Sequence, residues 1–452
     1  MKKVGRSILL TLCLILAFSS LAACASTGGN DSADLSPGGN QGNQGSSGGK
    51  VQIKFSGWGE PEEKELYEQI IKNFEAQNPN IKVQYIHIPA DYGGKMNTVL
   101  AGGDAPDVFY VGDGDFSRWV KLGVLMNLEP MIKETGMDLS DVWETALTRY
   151  RYDGQKSGLG DAYALPMDIA PTVLYYNKKL FDEAGVPYPS SEQPMTWDEL
   201  LDTAAKLTKD TNGDGKPEQY GIGPLWWEGM VWGNGGEILS ADRTEFMLDR
   251  PEATEALQFV SDIQNVHNLA PNGRALQAMN DGQMFETGRL AMITSGRYST
   301  LGFRKLNFDW DVAPIPANGE WSGWSASVGF SVSSKSKHPQ EAFQFLQYLV
   351  SEEVNQIRAE AGLSMPIYKE MANSDVFLRP DLKPQHAEVF LKAAEHQQPG
   401  PWTYVPNNKW WDTVNQNLGQ LWEGKKTAQQ LMDEIKPAVE KALKEGNPDL
   451  FR

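Results

Sequence analysis

From residue 51 onward the apolar positions switch between two periods. Residues 51–56 alternate apolar and polar, the pattern of a half-buried strand. Over 61–77 the apolar residues Leu66, Ile70, Ile71 and Phe74 fall on one helical face, and Asn78-Pro79-Asn80 stops the helix. Alternation returns over 81–88, a helix over 92–101 ends at Gly102-Gly103, and 107–111 reads as a third strand. Strands alternating with helices predict an α/β domain with a mostly parallel sheet. Ligands on such sheets sit beyond the carboxyl ends of the strands, which points to the loops 58–60 and 113–116.

Further on, 170–176 is apolar and β-branched, with Pro166 and Pro171 near its start, and predicts a strand. Asn177 caps a short helix over 178–184 that Gly185 closes. Pro187, Pro189 and Pro194 hold an extended connector, and Thr196 with Glu199 has the spacing of a capping box. The stretch 251–267 is amphipathic, with Ala256, Leu257, Val260 and Ile263 on one face. A strand is expected over 311–315, and a later helix presents Ala342, Phe345, Leu346 and Leu349.

A chain of 452 residues is too long for one ordinary core, so two domains are expected. The formal net charge of -18 opposes binding to a phosphate backbone, and equally serves solubility. At the amino end Lys2, Lys3 and Arg6 precede an apolar run, 8–18, too short to span comfortably as a mature helix. Leu21-Ala22-Ala23-Cys24 then looks like a bacterial lipobox. The expectation is a signal peptide over 1–23 and lipidation of Cys24, which leaves no second cysteine for a disulfide because Cys13 lies in the removed segment. The Gly-, Ser-, Asn- and Gln-rich stretch that follows, within 24–50, cannot bury enough apolar surface to fold and is expected to be a tether.

Four stretches carry candidate chemistry. Trp226, Trp227 and Trp232 bunch before a Gly-rich turn, poor core material on its face; one or two are expected to form a platform for sugar rings and at least one to be structural, or else all three form a hydrophobic latch. Trp321 and Trp324 flank a second polar turn. Asp113 and Asp115 can accept hydrogen bonds from vicinal hydroxyls, with Asp115 equally suited to cap a helix. Asp210, Asn212, Asp214, Lys216 and Glu218 stand at positions one, three, five, seven and nine of a loop with Gly215 at six, the spacing of a Ca2+ loop. Position twelve is Gly221, so the bidentate closing acid is missing; an Asx-rich turn is the other reading, and either way the role is structural. No serine-hydrolase elbow, zinc-protease pair or phosphate loop is present, and the histidines at 87, 267, 338, 386 and 396 have no close ligand spacing. A glycosidase needs only two carboxylates across a sugar, and composition does not exclude one.

The order YALPM…LYYNKKLFDEAGV…P.TWDEL, together with GGDAPDVFYVGDGDF, FETGRLAMITSGRYS and SASVGFSVSSKSKHPQEAFQFLQYL, resembles the extracellular solute-binding proteins of ABC sugar importers related to maltose-binding protein. The resemblance runs from about Val51 to Leu443 and rests on the order of degenerate motifs. It implies the two-lobe periplasmic-binding-protein-like fold of type II, with mixed sheets flanked by helices and hinge crossovers between the lobes. Lobe 1 would hold 51–167 and 329–400, and lobe 2 would hold 168–328 and 401–452, with a third crossing over 398–405. The implied ligand is a carbohydrate held between the lobes, and the implied partner is a permease, met by a monomer lipid-anchored outside the cell membrane. No organic cofactor and no catalysis are implied. The binding residues expected on this basis are Trp58, Glu60, Asp113 and Asp115 from one lobe. From the other come Asp168, Trp226, Trp227, Trp232, Arg297, Tyr298, Trp321 and Trp324, with a surface ion pair as the alternative for Arg297. A glycoside hydrolase, or a sugar-sensing surface lipoprotein outside transport, are the competing classes.

Overall fold

A computed structural model describes residues 50–452; the expected signal peptide, Cys24 and the stretch expected as a tether, up to residue 49, lie outside the described residues. Among the described residues no helix is long and apolar enough to cross a membrane.

Each lobe is organised by its own sheet. The first sheet runs Ile81–His87, Val51–Gly57, Val108–Gly112, Val328–Val332, Leu165–Pro166 in spatial order. Its first three strands are parallel, as the strand–helix alternation predicts, and the last two pairings are antiparallel. Helix Pro61–Gln77 buries Tyr67, Ile70, Ile71 and Phe74, the i, i+3, i+4, i+7 stripe, into this core. Phe55 is fully buried among the rings of Tyr67, Tyr110, Phe330 and Phe345.

The second sheet runs Trp310–Ala313, Val173–Asn177, Met292–Ser295, with both pairings antiparallel. This differs from the mostly parallel first sheet, because the central strand takes its neighbours from far along the chain rather than through short crossovers. Successive residues of Val173–Asn177 feed opposite faces: Leu174 and Tyr176 enter one core, Val173 and Tyr175 the other. The predicted strand 311–315 is observed as Trp310–Ala313, ended by Pro314.

The stretch read as one strand over 170–176 is broken at Thr172, and the break makes the hinge. Ala170–Pro171 pairs with Gly323–Ala326, which in turn pairs with Gln397–Gln398. The Gln397 side chain also bonds Thr172 in both directions, accepting its N–H and donating to its carbonyl. Gly323 is required here, since a Cβ would stand 2.8 Å from both the Gln397 amide and Ile315.

Packing places the third passage between the lobes earlier than 398–405. Leu363, Ile367 and Tyr368 belong to the first core, whereas Met365, Ala372, Phe377, Val389, Phe390 and Ala393 pack with Val173, Tyr175 and Trp310 of the second sheet. The segment 372–396, assigned from sequence to lobe 1, thus packs on lobe 2, because its apolar residues cover the outer face of that sheet. Trp402, Trp410, Val414 and Leu418 join the second lobe's other core.

Candidate functional site

A buried polar group anchors the hinge. Arg149, 1 % exposed, donates from Nη1 to Asp113 Oδ2 at 3.1 Å and to the Ser325 carbonyl at 2.6 Å, and from Nη2 to Ser325 Oγ. The Asp168 carboxylate accepts the Val328 N–H at 2.9 Å, and the Asp168 carbonyl accepts from Ser327 Oγ. Burial pushes the carboxyls of Asp113 and Asp168 each up to about 6; for Asp113, Arg149 pulls the other way. Both acids were expected on the ligand, and both are interior groups that hold the crossover strand. Asp113 also opens helix Asp113–Lys121 instead of lying in a loop.

Two recesses lie between the lobes, joined by a row of indoles. The first, about 790 Å3, is lined by Glu60, Glu62 and Glu63 from one lobe and Asp281, Glu286 and Tyr298 from the other, with Trp226. The second, about 710 Å3, is lined by Gly114, Asp115 and Arg118 from one lobe and Trp402, Asn408 and Trp411 from the other. Trp226 meets Trp324 at 5.1 Å between ring centroids, Trp324 meets Trp402 at 5.6 Å, and Trp402 stacks on Trp411 at 4.3 Å. Trp226, Trp324 and Trp411 remain half-buried. A half-exposed indole face in a cleft offers area to the C–H face of a sugar ring, while carboxylates at the rim accept hydroxyl hydrogen bonds.

The lobes touch on both sides of the groove. Lys305 reaches Glu62 at 2.8 Å on one side; on the other, Ser117 Oγ donates to the Thr403 carbonyl and Asn408 Nδ2 to the Gly114 carbonyl. Glu63, buried at the start of its helix, accepts from Tyr110 Oη at 3.0 Å, and burial pushes its carboxyl up to about 8. The turn before it needs Gly59, whose φ is +128° and whose Cβ would stand 2.2 Å from Glu63 Oε2.

The other expected residues divide. Trp58 is half-buried, edge-on to Tyr92 and Tyr110. Glu60, Tyr298 and Trp226 face the first recess. Asp115 lines the second recess, pairs with Arg118, and is in the first turn of its helix rather than at its cap. Trp227 and Trp232 are core residues, 8 % and 7 % exposed. The Gly-rich turn after them is compatible with burial because Gly233 and Gly236 let neighbouring backbone close in. Trp321 stacks on His396 at 4.9 Å and lines neither recess. Arg297 is fully buried over the rings of Phe377 and Phe390, with no acid partner among the described residues, and burial pulls its pKa down to about 9. It is neither a cleft group nor a surface ion pair.

Sequence reasoning passed over Arg149, Trp402 as a groove residue, and Trp411. The signal for Trp411 was helical phase. In Lys409–Trp422 the buried stripe is Trp410, Val414, Leu418 and Leu421, which leaves Trp411 off the core face. Glu228, beside Trp226, was also passed over; burial pushes its carboxyl up to about 7.

At the 210–218 loop, carboxylate oxygens of Asp210, Asp214 and Glu218 lie within 4.8 Å of one another. Asp210 accepts the N–H groups of Gly213 and Gly215, and Glu218 accepts from Thr211, so the loop is wrapped around its acids. A hard cation suits this all-oxygen set. Gly221 cannot be replaced by a closing acid, since a Cβ there would stand 2.1 Å from the Ala204 carbonyl oxygen.

Two lobes, a three-stranded hinge sheet and an indole-lined groove between them define a two-lobe ligand-binding protein. The profile of the bacterial extracellular solute-binding proteins matches residues 58–356, and the chain belongs to that family. It is 27 % identical to the ABC substrate-binding protein Lmo0181 from Listeria monocytogenes, solved in complex with cycloalternan, with a TM-score of 0.78 over 87 % of this chain and 99 % of that one. It is 24 % identical to the multiple sugar-binding protein of Streptococcus mutans, over 63 % of this chain and 67 % of the relative. It is 23 % identical to the sn-glycerol-3-phosphate-binding periplasmic protein UgpB of Escherichia coli, over 81 % of this chain and 86 % of the relative. These relatives are binding proteins by name, not enzymes.

Proposed function

We propose that the groove binds an oligosaccharide and that the protein, held outside the cell membrane by a lipid on Cys24, hands it to an ABC permease. The observation that carries this reading is the row Trp226, Trp324, Trp402, Trp411, which runs from one recess to the other and sets half-buried Trp226 and Trp411 one in each. Glu60, Asp115 and Tyr298 are the polar groups placed to orient hydroxyls. Contact from both lobes favours the state in which they are closed, so ligand shifts the population toward it.

Calorimetry with neutral oligosaccharides of two to five units is the test. Binding is expected, with a rise in melting temperature that grows with ligand concentration. Release of shorter sugars over hours would replace this reading with a glycosidase. Failure of every sugar to bind would remove it.

The loop of Asp210, Asn212, Asp214, Lys216 and Glu218 is proposed to hold Ca2+ as a structural ion. Asp210, Asp214 and Glu218 supply carboxylates, Asn212 its amide oxygen and Lys216 its backbone carbonyl. Chelation should lower the melting temperature by a few degrees, about 1–2 kcal/mol at [L] near ten-fold Kd. No change on chelation or on Ca2+ addition means the loop is a turn.

A further inference from the structure

A third recess, about 690 Å3, is also shared by the lobes: Lys121, Tyr152 and Lys156 come from the first, Arg243, Tyr404 and Asp449 from the second. Lys121 and Pro406 line both this recess and the one containing Trp402 and Trp411, so the two adjoin. The Arg243 guanidinium sits 4.7 Å over the Tyr404 ring, half-buried. No carboxylate pairs with it among the described residues. Asp242 is occupied by Ser240 and Thr244, and Asp449 pairs with Lys121 at 3.4 Å and Arg452 at 3.1 Å.

The backbone reinforces the placement. Arg243 has φ +63°, where an L side chain is strained. Ser240 Oγ accepts the N–H groups of Thr244 and Glu245, which fixes the turn in that form. An arginine held on a ring, partly desolvated and unpaired, presents a planar fork of donors suited to a carboxylate, sulfate or phosphate. Lys156, exposed on the facing lobe and also unpaired among the described residues, adds a second cation. Lys121, Lys156, Arg243 and Arg452 line the recess against Asp242 and Asp449, a net basic lining in a chain whose net charge is -18.

We infer that this recess is an anion-recognising subsite, which binds an acidic substituent on a saccharide whose rings lie against Trp411 in the adjoining recess. The inference rests on the carbohydrate reading above and adds the charge of the ligand to it.

The test compares galactotriose with trigalacturonate and with a galactotriose sulfated on its terminal unit, on the full chain, by calorimetry. At least one charged trisaccharide is expected to bind tenfold or more tightly than the neutral one, and which one does so separates carboxylate from sulfate. Arg243→Gln should shrink that preference about tenfold, Lys156→Gln about threefold, and added salt should weaken the charged ligand more than the neutral one. Arg243→Lys should restore only part, because a point charge lacks the fork. Equal affinities for all three sugars overturn the subsite and leave the carbohydrate reading intact, as does an unchanged preference in Arg243→Gln. If none of the three binds, the subsite falls, and the carbohydrate reading is decided separately by the neutral panel above. Unchanged melting temperatures of the variants exclude misfolding, and Lys156→Gln, on an exposed turn, decides should Arg243→Gln fail to fold.

Discussion

Trp402 and Trp411 stack at 4.3 Å on one side of the groove, while on the other Glu60 and Glu286 stand exposed with no cation paired to either among the described residues. The first arrangement is fixed by ring packing before any ligand arrives; its contribution is area, insensitive to salt. The second is made of charged side chains with rotamer freedom to lose, so each bond formed there is partly offset by ordering. The lesson is that affinity should concentrate in the indoles and orientation in the acids.

That division can be broken. Trp411→Ala should weaken sugar binding by about 2–4 kcal/mol, roughly 30- to 1,000-fold, and should also lower the melting temperature, because the ring packs against Trp227, Trp402 and Trp410. Normal binding by this variant removes the indole row from the site. Glu60→Gln should cost about 1.5 kcal/mol, roughly tenfold, since an exposed acceptor is exchanged for a neutral one. A larger loss there than in Trp411→Ala reverses the comparison.

The smallest effect is on pH. Glu63 has its carboxyl raised from 4.5 to about 8 by burial, so the folded state holds a proton that the unfolded state releases. Its contribution to stability is therefore complete below about 4.5 and declines as pH rises toward 8. Glu63→Gln keeps an acceptor for Tyr110 and should flatten the fall in melting temperature over that window, by about 2–4 °C for each kcal/mol recovered. An unchanged slope assigns the pH dependence to other groups, Asp113 and Asp168 first.

The fold was legible wherever a local pattern decides it. The helix Pro61–Gln77, the Asn177 cap and the Thr196–Glu199 capping box are all observed, because periodicity and capping are properties of adjacent residues. The third crossing and the second sheet's antiparallel pairing were not legible, since each depends on partners more than a hundred residues away. At the site, residue type indicated the class of contact but not its direction. Trp226 and Trp232 lie six positions apart in one stretch, and one faces the groove while the other fills a core. Arg297 was expected on the ligand or in a surface ion pair and is buried on two phenyl rings, which belong to a segment 80 or more positions later.

The strand Val328–Val332 completes the first lobe's sheet beside Val108–Gly112, yet more than two hundred residues of chain separate them. During synthesis the amino-terminal half therefore waits, its sheet one member short, until most of the second lobe has emerged. Such long-range closure is slow. A chain built this way locks its first lobe later than one whose lobes were each continuous.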